Sequence, residues 1–85
     1  MSENQYQCIH FTPKTIEEFP EIKEHIVKKQ LISVDLSKME FEKAETVLKK
    51  IMNVAYLQES RIHRLSTTLF LVIPGGIEVN ISKLL

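Results

Sequence analysis

Residues 69–79 read Leu69-Phe70-Leu71-Val72-Ile73-Pro74-Gly75-Gly76-Ile77-Glu78-Val79. Alternate side chains of a strand point to opposite faces, so five apolar strand formers in a row predict a strand that is apolar on both faces. Pro74-Gly75-Gly76 marks a turn. Ile77 to Ile81 then predicts another strand, folded back on the first. Upstream, Arg61 to Leu65 is a further short run of strand formers, set off by Ser66-Thr67-Thr68. The last third of the chain therefore reads as two antiparallel hairpins.

Working outward, the preceding segment has helical period. Phe41, Ala44, Val47, Leu48, Ile51, Met52 and Ala55 trace an apolar stripe, with Lys38, Glu42, Glu45 and Lys49 on the other side. Ser37 with Glu40 three residues on predicts a capping box at its start. Leu31 to Leu36 predicts a strand before it. Ile16, Phe19, Ile22 and Ile26 predict an earlier helix, opened by a second box of Thr15 and Glu18. Pro20 suits only a first turn and disfavours a helical Phe19, which moves the start of that helix toward Pro20. Lys28-Lys29 near its end suits the negative pole of the helix dipole. Cys8 to Thr12 alternates and predicts the first strand. The two strands flanking this helix should be parallel, with a right-handed crossover.

The expected fold is an α/β two-layer sandwich in the order β-α-β-α-β-β-β. It has a mixed five-stranded sheet with two helices on one face. Residues 1–7 are expected to be a frayed, disordered end, and residues 8–85 one domain. Two helices cover only one face of the sheet. Either Leu69, Leu71 and Ile73 meet them, or Phe70 and Val72 do, and the other set needs a cover from outside the chain. A homodimer is one such cover, and a partner peptide another.

Composition narrows the function. Eleven basic and eleven acidic residues give zero formal net charge, whereas nucleic-acid binders show a basic excess. Arg61, His63 and Arg64 beside Tyr56 make a weak case for RNA and a better one for a charged sheet edge that resists aggregation. The single cysteine, Cys8, allows no internal disulfide and fits a reducing cytoplasm. Met1 to Gln7 is polar, so neither a secretory leader nor a membrane-lying amphipathic stripe is expected there. The longest apolar run, Leu69 to Ile73, is far shorter than a membrane span. Gly75-Gly76 lies in a hairpin and opens no helix, so it cradles no phosphate. Cys8 and His10 share one strand face but are too few to hold a metal without His25 or His63. No nucleophile, dyad or paired carboxylate stands at a catalytic spacing. The chain is expected to be no enzyme and to need no cofactor or metal.

Residues 13–79 also resemble the SepF family, small division proteins that partner the tubulin-like FtsZ. Pro13-Lys14-Thr15-Ile16-Glu17-Glu18 is similar to the family's opening of its first helix, and Ile22 follows in register. Val34-Asp35-Leu36 with Met39, then Ala44, Val47, Tyr56, Ile62 and Arg64, fall at matching positions. Phe70-Leu71, Pro74 and Ile77-Glu78-Val79 complete the match. The resemblance implies a cytoplasmic adaptor, recruited to the division site at the inner face of the membrane, that dimerises and binds the FtsZ C-terminal tail. It implies Arg64, Phe70 and Val72 as tail-binding residues. Leu48, Met52, Asn53, Leu69 and Leu71 are the candidates for the dimer or polymer interface. Membrane contact is expected only indirectly, or through a segment missing from this sequence. Asn53 replaces the glycine that bacterial members carry at the end of helix two, Lys50 replaces their phenylalanine, and Ser60 a turn glycine. These departures imply an archaeal-type member that polymerises weakly. The alternative reading is a small cytoplasmic ligand-binding or regulatory domain.

Overall fold

The computed structural model describes residues 7–79. Among them the chain forms β1 (Ile9–Phe11), α1 (Phe19–Val27), β2 (Ile32–Asp35), α2 (Phe41–Leu57), β3 (Arg61–Arg64) and β4 (Leu69–Ile73). The sheet order is β1-β2-β4-β3. Strands β1 and β2 are parallel, joined through α1, as the crossover requires. Strand β4 runs antiparallel to both β2 and β3.

A single 3-10 turn, Ile16–Glu18, precedes α1 and leaves Pro20 in the first helical turn, where its missing N–H costs nothing. The Glu18 carboxylate accepts the Thr15 amide at 3.0 Å and the Lys14 amide at 2.8 Å. These amides hold the Glu18 carboxyl below its usual range. The second expected box does not form. The Ser37 amide donates to Asp35 Oδ1 at 2.9 Å in a turn that delays the helix, so α2 begins at Phe41 and Glu40 caps it with no side-chain bond.

Both helices end in the same way. At the end of α1, Lys29 has φ 62°, and at the end of α2, Glu59 has φ 59°. The Gln30 amide reaches back to His25 O, and the Ser60 amide to Ala55 O. Each is a Schellman-type cap with a side chain where glycine is usual.

Phe70 and Val72 face the helices. With Ile32, Val34 and Leu36 they pack against Ile22 and Ile26 of α1 and Val47, Ile51 and Ala55 of α2. Ile22, Ile26, Val47 and Ile51 are 1% exposed or less, which identifies the helical faces that close the core. The apolar stripe read along α2 is narrower in the fold. Phe41 and Met52 are 75% and 51% exposed and stand outside the core.

The fifth strand is the main correction. Ile77–Val79 carries no strand, and residues 80 and 81 lie outside the described residues, so the sheet has four strands among those described. After the Pro74-Gly75-Gly76 turn, Ile77 and Val79 instead pack on Leu31, Leu71 and Ile73, the opposite face of the sheet. Arg61 anchors this return, its guanidinium donating to Ile77 O at 2.8 Å. The second face of β4, expected to need an outside cover, is thus covered in part from within.

Candidate functional site

Three segments converge at one end of the helix face. Strand β2 ends at Asp35, whose neighbours Leu36, Ser37 and Met39 run into α2. The first turns of α2 present Phe41, Ala44, Glu45 and Leu48. The β3–β4 hairpin brings Arg64, Thr67, Thr68 and Phe70. Together these residues enclose a mainly apolar groove of about 320 Å³.

Arg64 and Phe70 are opposed across β3 and β4. The guanidinium carbon lies 5.1 Å from the ring centroid, a cation–π contact that holds the arginine along the groove wall. Arg64 is exposed and makes no ion pair among the described residues. Phe70 is 5% exposed, so it belongs to the core and to the groove at once.

A backbone hydrogen bond beside Asp35 ties two rims of the groove together. The Asp35 carboxylate accepts the Ser37 amide, and the Leu36 amide donates to Thr68 O at 2.9 Å. The Ser37 amide, then the Ser37 and Thr68 hydroxyls, hold the Asp35 carboxyl below its ordinary range. Ser66 Oγ accepts the amides of Thr68 and Leu69 and shapes the hairpin loop.

The residues read from the sequence are distributed unevenly. Arg64 and Phe70 meet at the groove. Val72 does not line it. At 1% exposure, Val72 lies in the core packed against both helices. Leu48 lines the groove wall. Met52 and Asn53 are exposed on α2, next to Tyr56 and Leu57 at 81% and 68%. On the opposite sheet face, Leu69 is half-buried in a shallow depression with Cys8, His10, Ser33 and Leu65. Leu71 is 2% exposed under Ile77 and Val79. His10 bonds Ser33 Oγ at 2.7 Å and Thr12 Oγ1 at 3.1 Å, which satisfies the nearly buried serine. No group of three or more His, Cys, Asp or Glu side chains is placed to hold a metal among the described residues. No helix among them is long and apolar enough to cross a membrane.

Phe41 and Glu45 were missed as groove residues. Phe41 falls on the apolar period of α2 and therefore read as core. It is the first residue of α2, where helical side chains tilt toward the N-terminus, and it is 75% exposed.

Residues 9–79 match the family described as cell division protein SepF. Among curated proteins, none matches the chain significantly in sequence. Several solved structures share its fold. The SepF-like protein from Archaeoglobus fulgidus has 23% identity and a TM-score of 0.73 over 87% of this chain and 93% of its own. The SepF-like protein from Pyrococcus furiosus has 11% identity and a TM-score of 0.76 over 94% of this chain and 100% of its own. The cell division protein SepF from Methanobrevibacter smithii, solved in complex with FtsZ-CTD, has 20% identity and a TM-score of 0.73 over 88% of this chain and 98% of its own.

Proposed function

The chain belongs to the SepF family of cell division proteins, and from that premise we propose that it is a non-catalytic adaptor that binds the C-terminal tail of FtsZ in the groove between α2 and the β3–β4 hairpin. The observation that carries this reading is the pairing of an exposed Arg64, without an ion pair among the described residues, with an aromatic floor at Phe70 in the groove. A short apolar segment with acidic residues suits such a site. Its apolar side chains fill the groove, where truncation of an aromatic anchor typically costs about 2 kcal/mol or more, and its acid meets the guanidinium. The likeness to a SepF solved with FtsZ-CTD supports the choice of partner.

The adaptor acts as a homodimer at the division site, and its link to the membrane is indirect or runs through a segment outside this sequence. Met52 and Tyr56, one turn apart and half or more exposed, leave the outer face of the C-terminal half of α2 uncovered among the described residues, and Asn53 lies between them. This surface suits the dimer better than the opposite sheet face, which Ile77 and Val79 already cover in part.

Titration of a labelled FtsZ tail peptide, read by fluorescence anisotropy, tests the reading. Saturable binding that Arg64→Glu weakens at low salt is expected. No binding by the folded wild-type chain would overturn it.

A further inference from the structure

The groove holds a second charge of opposite sign. Glu45 lies on its α2 wall, exposed, and makes no ion pair among the described residues although Lys49 stands one turn further on. Arg64 lies on the sheet wall, equally without an acidic partner. Phe41, Leu48 and Phe70 provide apolar surface in the same groove. A site built only to attract an acidic tail gains nothing from a carboxylate in its wall, which would repel that tail.

Resting on the tail-binding reading, we infer that Glu45 receives a basic residue of the same tail segment whose acidic residue meets Arg64, so that the groove reads the order of charges and fixes the direction in which the tail lies. The occupant is a short peptide with an apolar centre, an acid on one side of it and a base on the other. Directional discrimination comes from repulsion as much as attraction, since a reversed peptide sets like charges against each other at both walls. Glu45 is a positioning residue for the tail. Its exposure on α2 allows substitution with little effect on folding.

The test uses two labelled peptides, the FtsZ C-terminal tail and the same tail with its acidic and basic residues exchanged. Each is titrated against the wild-type chain, Glu45→Lys, Arg64→Glu and the double variant, with folding checked by circular dichroism. The wild type is expected to prefer the natural order by about tenfold, from two exposed charge contacts that each reverse sign. Glu45→Lys should bind the natural tail about three- to fivefold more weakly, and the double variant should prefer the exchanged tail. Tighter or unchanged binding of the natural tail by Glu45→Lys would overturn the inference while leaving tail binding intact. So would a double variant that keeps the wild-type preference. Failure of the wild type to bind either peptide would remove the underlying reading as well.

Discussion

Glu59 and Gly75 meet backbone to backbone. A Cβ placed on Gly75 would stand 2.7 Å from the Glu59 carbonyl oxygen, and Glu59 itself sits at φ 59° in the cap of α2. The end of the helix and the turn after β4 are therefore fitted to each other, one by a left-handed residue and one by a missing side chain. Gly75→Ala forces that carbonyl to move and should destabilise the chain. Glu59→Gly should do the opposite, because the left-handed conformation costs an L-residue about 1–2 kcal/mol, offset partly by the greater freedom of glycine in the unfolded chain. A net gain of up to about 1 kcal/mol is expected from the difference between these two effects. Thermal melts check both, at roughly 4–8 °C per kcal/mol for a domain of this size.

Asp35 makes stability depend on acid. Its folded pKa lies below its unfolded value, held there first by the Ser37 amide. The contribution is complete above the unfolded pKa and is lost as pH falls through the lowered folded value. Asp35→Asn should therefore lower the urea midpoint near neutral pH, and the difference from wild type should shrink as acid takes the carboxyl through its lowered folded pKa. Because Ser37 and Thr68 both line the groove, the same substitution should weaken tail binding at neutral pH.

The α2 surface should carry self-association. Met52→Lys places a charge in an apolar patch and should shift the chain toward monomer in sedimentation equilibrium, while the surface position spares the fold. Leu69→Lys, on the opposite sheet face, should leave the association constant nearly unchanged. A monomeric Leu69→Lys with a dimeric Met52→Lys would transfer the interface to the sheet.

Much of the fold follows from local pattern. The helix between β1 and β2 is enough to make those strands parallel, and the doubly apolar run of β4 is packed on both of its faces. What local pattern does not contain is the path after Gly76. Ile77 and Val79 have strand-forming side chains on a strand period, yet they pack on Leu71 and Ile73, a tertiary contact that competes with ladder pairing. The site shows the same division. Arg64 and Phe70 fall together because antiparallel pairing across the Ser66–Thr68 loop opposes them. Phe70 and Val72 share a face, and only the distance of each from the open end of the helix layer makes the first a groove residue and the second pure core.

Phe70 serves two structures at once, so its truncation should damage both. Phe70→Ala removes a core ring and should cost about 3–5 kcal/mol of stability, a large part of what a small domain has. Loss of tail binding by that variant would then say little about the groove. Phe41 separates the two roles. It lines the same groove and is 75% exposed, so it contributes little to the core. Phe41→Ala should leave the melting temperature within a few degrees of wild type, in keeping with the roughly 0.5 kcal/mol usual for surface changes. If the tail's apolar residues close against this ring, the same change should weaken binding by about tenfold or more, the size expected of an aromatic anchor. Salt should change this loss little, because the ring carries no charge, whereas the loss from Arg64→Glu should shrink as ionic strength rises. Anisotropy titrations of both variants at low and high salt measure the contrast, and a Phe41→Ala variant that binds as tightly as wild type would remove the α2 wall from the site.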